Sequence, residues 1–253
     1  MTGALVPAPG AAPRHRMLLA QAGMELRLTL RNGEQLLLTL IIPLLLLAIL
    51  VFTPFVPVDG PRVEVFVPGI VALAIMSTAF TGQAIATGFE RKYGVLKRLG
   101  ATALPRSVLL GGKTLAVIGV EMIQLVLILG AGLLLGWHGH PAPVGVLLLV
   151  ALGTAAFSGL GLLMAGTLRA EVTLAAANLV WFVLLFFGGA VFPLARFPAA
   201  VARLLELLPT AALADGLRVA LEAGGMLPGR DLAVLASWAV VGLGLAAAKF
   251  RWE

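Results

Sequence analysis

Glu90-Arg91-Lys92-Tyr93-Gly94-Val95-Leu96-Lys97-Arg98-Leu99-Gly100, continuing through Pro105-Arg106 to Lys113, is the longest charged interruption in an otherwise apolar chain. Six basic residues fall in it: Arg91, Lys92, Lys97, Arg98, Arg106 and Lys113. Charge-free runs long enough to cross a bilayer lie on either side. A short basic segment pinned between two spans has no core to enter, so it must lie at a membrane surface and face water. The spacing of Tyr93, Leu96 and Leu99 predicts a short helix with one apolar stripe, while Arg91 and Arg98, two turns apart, share another face. Pro105 predicts the end of that helix.

The rest of the chain supports a membrane setting. Of 253 residues, 60% are hydrophobic and 12% charged, with a mean hydropathy of +1.04. Soluble domains carry about 25% charged residues. The expected class is an all-α integral membrane protein. The absence of cysteine excludes disulfides, thiol catalysis and thiolate metal sites. A net charge of +6 is compatible with nucleic-acid binding, but the basic residues track one side of the membrane, and no nucleic-acid partner is expected.

Residues 1–13, rich in Ala, Pro and Gly, read as a disordered leader without the pattern of a signal peptide. Residues 14–253 read as one six-span domain. Over 14–34, Leu19, Gly23, Leu26 and Leu30 form a stripe, with Arg27 and Arg31 one turn apart. That pattern predicts an N-terminal interfacial helix, a plain charged flank being the alternative. The spans expected are 36–56, 65–87, 114–136, 144–168, 172–192 and 232–248. The first contains Pro43, which a membrane helix tolerates when a neighbour satisfies the freed carbonyl. The long links are 88–113 and 193–231.

With the N-terminus inside, thirteen basic residues lie on the inner side: Arg14, Arg16, Arg27, Arg31, the six of the central loop, Arg169, Lys249 and Arg251. Arg62, Arg196, Arg203, Arg218 and Arg230 make five outside. Both termini and loop 88–113 are therefore expected in the cytoplasm. The outer link reads as two short extracytoplasmic helices. In one, Val201, Leu204, Leu205 and Leu208 oppose Arg203 and Glu206; in the other, Leu213, Leu217 and Leu221 oppose Asp215, Arg218 and Glu222.

Several motifs invite chemistry. Gly111-Gly112-Lys113-Thr114 imitates the end of a phosphate-binding loop, but Ser107 stands where that motif needs glycine, and no strand precedes it. It reads as the start of a helix with Lys113 at the interface, and no ATP site is visible. His138-Gly139-His140 reads as a solvated turn, since a metal site needs more ligands; no metal is expected. Gly159 and Gly161 read as close-packing points. Trp181, Phe182, Phe186 and Phe187 either line a path for an apolar substrate or pack and face lipid.

Polar residues inside the spans are Thr78, Thr81, Gln83, Glu121, Gln124 and Asn178. They face the bundle interior or a cavity, because an unpaired polar group in hydrocarbon is costly. Glu121 must face inward, be neutralised or find a basic partner, for which Arg27 or Arg31 is the candidate; Gln124 shares its face.

The central stretch resembles the segment after the second span in permeases of the type-two (ABC-2 class) ABC exporters. Glu90-Arg91, Gly94, Leu96-Lys97 and Leu99 match that pattern, and Thr102, Pro105-Arg106 and Gly112-Lys113 match it more loosely, with Val95 in place of Thr. Gly188-Gly189, Phe192-Pro193, Phe197-Pro198, Pro209-Thr210 and Gly216-Leu217-Arg218 resemble the family's stretch between its fifth and sixth spans.

The resemblance implies a coupling helix that docks on a separate ABC ATPase. Glu90, Arg91, Tyr93, Gly94, Leu96, Lys97, Arg98, Leu99, Pro105 and Arg106 are the coupling residues. It also implies two ATPase copies carrying ATP and Mg, no cofactor on this chain itself, a second permease, identical or sister, and a bacterial-type inner membrane with its lipid. Spans 2 and 5 would line the route, which puts Thr78, Gln83, Asn178 and Phe182 on a substrate path; interhelical hydrogen bonding is the other reading for Gln83 and Asn178. Rival classes are a membrane enzyme or an ion-coupled transporter using Glu121.

Overall fold

A computed structural model describes residues 12–54, 56–102, 104–222 and 227–250. The leader through residue 11, Ala103, residues 223–226 and Arg251 lie outside the described residues. No strand occurs among those described. Among the described residues five helices are long and apolar enough to cross a membrane: α3 (Arg62–Lys92), α5 (Arg106–Leu134), α6 (Pro143–Thr167), α7 (Ala170–Phe187) and α10 (Gly229–Lys249). The first expected span is the shorter apolar helix α2, Leu37–Phe52, preceded by a single helical turn, Gly33–Leu36. The other helices are α1 (Arg14–Arg31), α4 (Val95–Gly100), α8 (Ala199–Leu205) and α9 (Pro209–Glu222). With this length and composition the chain is a multi-pass membrane protein.

Two spans carry a π turn, Leu37–Ile41 in α2 and Ser77–Gly82 in α3. The first has a cause in sequence. Pro43 cannot donate a backbone hydrogen bond, so the Thr39 carbonyl one turn earlier is released. Gln124 of α5 takes it up, its Nε2 donating to the Thr39 oxygen at 2.8 Å. Gln124 also bonds the Thr78 hydroxyl in the second π turn, at 3.0 Å from Nε2. One amide therefore ties both irregular turns to α5.

Glycines set the closest approaches. A Cβ at Gly159 of α6 would lie 2.6 Å from the backbone nitrogen of Leu243 on α10, and one at Gly161 would lie 2.8 Å from the Phe80 carbonyl oxygen. The pairing of α6 with α10 is the most extensive in the bundle. Gly159 and Gly161 are thus close-packing points, as their sequence setting predicts. On α5, Gly111, Gly112 and Gly119 face Leu18, Gln21 and Leu26 of α1. The two helices run alongside one another in the same direction. The stripe predicted for α1 does not pack as a unit: Leu26 seats against α5, whereas Leu19 is 62% exposed. Gly111-Gly112-Lys113 lies inside α5, which starts at Arg106, and does not begin the helix as expected.

The outer link also departs from expectation. α9 does not lie on a surface; Ala211, Leu213, Ala214, Leu217 and Leu221 are all fully buried. It packs on α3, α6 and α10. Its first turn lies deep in the bundle, where the Thr210 hydroxyl meets Met76 Sδ at 3.4 Å and a Cβ on Gly188 would lie 2.6 Å from Thr210. α7 covers the half of α3 past its π turn, with the Trp181 indole donating to Ser77 Oγ at 2.8 Å; α9 covers the half before it. Small residues make this possible, since Ala and Gly faces let backbones approach. The helical period of Leu213, Leu217 and Leu221 is legible in the sequence, whereas the burial of Ala211 and Ala214 has no signal there.

The basic loop and the helix ends sort to opposite poles. Arg91 donates to the Leu168 carbonyl, Lys92 pairs with Glu171, and Gly166 packs on Phe250. At the other pole the Ala142 amide donates to the Ala220 carbonyl at 2.8 Å and the His138 amide to Glu64 at 3.0 Å.

Gly159→Ala should lower the thermal midpoint of the purified protein in micelles by several degrees, because overpacking a tight contact costs about 1–3 kcal/mol. Gly244→Ala, where the added Cβ meets open space, is the control. Equal melting of the two would remove the role given to the α6–α10 crossing.

Candidate functional site

A cavity of about 450 Å³ opens between α1, α2, α3, α5 and α7. Its wall brings together all four residues placed on a substrate path by the sequence: Thr78 and Gln83 from α3, Asn178 and Phe182 from α7. Thr39 and Leu38 of the first π turn, and Ser77, Thr78 and Thr81 of the second, line it too. The hydroxyls of these irregular turns lie in the wall, Thr39 and Ser77 also bonding carbonyls one turn earlier in their own helices. Trp181 and Phe182 meet edge to face, centroids 5.1 Å apart, on one side. Phe182 is 53% exposed and forms a rim. Asn178 donates to the Leu174 carbonyl of its own helix at 2.9 Å. Phe186 and Phe187 are not in the wall; they pack on Phe192 and Phe197.

One end of the cavity closes on an ion cluster that sequence reasoning missed. Lys113 Nζ lies 2.7 Å from the Glu90 carboxylate and 2.9 Å from Glu25. The Lys113 side chain is only 6% exposed. Gln21 adds a hydrogen bond to Glu25 at 2.8 Å. The cluster joins α1, α3 and α5. Lys113 therefore does not sit at an open interface, as expected from the end of a charged loop, and Glu90 turns inward. The available signal was the recurrence of Gln21 and Glu25 on the helical face of α1 that meets the glycines of α5.

Glu121 sits elsewhere. It is 1% exposed, accepts a hydrogen bond from the Thr154 hydroxyl of α6, and is not in the cavity wall. Arg27 and Arg31 are exposed on α1, so the basic partner expected of them is not supplied; the buried ammonium of the bundle, Lys113, serves Glu25 and Glu90 instead.

The predicted amphipathic helix over 90–100 is broken in two. Glu90, Arg91 and Lys92 end α3; Gly94 follows in the left-handed region at φ 71°, and α4 starts at Val95. The stripe of Tyr93, Leu96 and Leu99 is split, because Tyr93 lies before the break and is 65% exposed while Leu96 is fully buried. Lys97 and Arg98 are exposed, Leu99 and Pro105 half-buried. α4 ends at Gly100, and Pro105 precedes α5 instead of ending α4. Arg106 lies in the first turn of α5. Among the described residues no cluster of three His, Cys, Asp or Glu could hold a metal.

A polytopic helical bundle with a cavity among its spans and a basic helical loop between two of them is the architecture of a transport subunit. Residues 19–221 match the family model described as ABC-2 type transporter, and the chain belongs to that family. It is a transmembrane permease component. A search of curated proteins gave no match.

Lys113→Met should destabilise the folded bundle by about 1–3 kcal/mol, because it strands two partly buried carboxylates. Glu25→Gln in that background should recover part of the loss. Chemical unfolding of the three purified proteins reads both effects, and an unchanged midpoint for Lys113→Met would show the ion cluster to be incidental.

Proposed function

We propose that the chain is the membrane-spanning subunit of an ATP-driven exporter. It moves a lipid, a hydrophobic drug or antibiotic, or a related amphipathic molecule out of the cytoplasm or inner leaflet. The single observation that carries this reading is the cavity on whose wall Thr78, Gln83, Asn178 and Phe182 converge, polar on α3 and aromatic on α7. Such a mixed lining suits a ligand with an apolar body and a few polar groups. Two permease subunits, identical or sister, pair in the bilayer, and two separate ABC ATPases carry ATP and Mg; this chain binds neither.

The ATPases grip loop 88–113. Exposed Tyr93, Lys97 and Arg98 form the docking surface: the aromatic ring supplies apolar contact and the charges set specificity. Movement of α4 passes to α3 through the Gly94 joint and reaches the cavity wall along the same helix. Loop 88–113 and both termini face the cytoplasm of a bacterial-type inner membrane, as the basic residues require. α2 is the sixth span, completed by the preceding turn.

The test is charge reversal. Lys97→Glu with Arg98→Glu should leave folding intact and cut ATPase co-purification and export at least tenfold, since reversed rim charges repel the same partner. A double mutant that retains its ATPase and still exports would end the docking role.

Sidedness is checked separately in the cysteine-free chain. Single cysteines at Thr102 and Ser107 should label only from the cytoplasm, and one at His140 only from outside. External labelling of Thr102 would invert the topology.

A further inference from the structure

Gln83, Thr87 and Glu90 recur at i, i+4 and i+7 on α3 and make one polar stripe about 10 Å long down the cavity wall. Gln83 is 5% exposed and Thr87 1%. Both side-chain atoms of the Gln83 amide and the Thr87 hydroxyl have no hydrogen-bond partner among the described residues. Buried polar groups are paired as a rule, so orphaned atoms in the wall of one cavity mark a place completed by a ligand.

The stripe ends at the ion cluster, and there the charges do not balance. Glu25 and Glu90 bring two carboxylates against one ammonium. Lys113 donates to one Glu90 oxygen at 2.7 Å and pairs with Glu25 at 2.9 Å, while the other Glu90 oxygen, though 2.7 Å from the ammonium, has no hydrogen-bond partner among the described residues. The cluster has one carboxylate more than it has cations, and one of its carboxylate oxygens lacks a donor. Glu25, Glu90 and Lys113 are the charged residues in the wall.

We propose, resting on the exporter reading above, that this end of the cavity is a headgroup subsite selecting amphiphiles that carry a positive charge, of the alkylammonium class. The cation lodges against Glu90 and Glu25 next to Thr87 and Gln83. The apolar body extends toward Trp181, which is tied to Ser77 at the far end of the stripe, and Phe182. An anionic head meets excess carboxylate in a site sheltered from water, where like charges repel strongly.

The purified full chain in lipid nanodiscs is titrated with three dansyl probes that share a dodecyl chain and end in trimethylammonium, hydroxyl or sulfonate. Saturable binding is read by energy transfer from tryptophan, after subtracting partition into empty nanodiscs. The ammonium probe should bind about tenfold tighter than the hydroxyl probe, the sulfonate weakest, as expected for one charge-assisted contact. Glu90→Gln and Glu25→Gln should each remove most of that preference, lowering ammonium-probe affinity more than hydroxyl-probe affinity. Gln83→Glu, which adds a carboxylate where the amide has no partner, should raise the preference; this gain keeps the test valid if the other variants melt early. Saturable binding without rank among the heads, or a sulfonate preference lost in Lys113→Gln, overturns the subsite and leaves the exporter reading standing. Absence of saturable binding by every probe overturns the cavity as a substrate site altogether.

Discussion

Lys113 and its two carboxylates form the contact on which the placement of three helices turns. An ammonium removed from water must keep opposite charges at hydrogen-bond distance, and here they come from α1 and α3 while the lysine belongs to α5. Burying such a cluster is not a source of net stability, because desolvation offsets the attraction. Its effect is geometric. α1 can hold Glu25 near Lys113 only by lying close on α5, and Gly111, Gly112 and Gly119 make room for it. The same contact draws Glu90 away from the basic loop and into the bundle, so the loop presents Tyr93, Lys97 and Arg98 without it.

The cavity next to this cluster exists because two helices are irregular. Pro43 opens the first π turn, and Gln124 satisfies the carbonyl that proline releases. The second π turn carries Ser77, Thr78 and Thr81, and Ser77 turns its hydroxyl to the Leu73 carbonyl at 2.7 Å. Gln124 spans both. Glu121, one turn away on α5, faces α6 and Thr154 instead, so the span acid that first draws the eye in the sequence is separated from the ligand-accessible wall.

At the other pole α9 replaces α7 as the neighbour of α3. α7 ends at Phe187, Gly188 abuts Thr210, and α9 continues along the half of α3 that α7 leaves bare. Pro209 opens α9 deep within the bundle, where its missing N–H costs nothing in a first turn. Short helices entering from one side are tolerated where protein, not lipid, surrounds them.

Membrane residence, five of the spans and the family were legible from residues alone. Bilayer thickness imposes a run length that composition displays directly, and the motif around Glu90–Leu99 is local. Thr78, Gln83, Asn178 and Phe182, grouped on the family resemblance, share one cavity wall. Three things were decided only by tertiary structure. Glu90 turns into the bundle because its partner is Lys113, 23 positions away, which periodicity does not reveal. α9 is buried because alanine faces fit between α3, α6 and α10, and alanine carries no signal of its own burial. Lys113 reads as the last charge of a loop, yet it is a buried ammonium, because Glu25 comes from a helix whose face with Leu18, Gln21 and Leu26 seats against the glycines of α5.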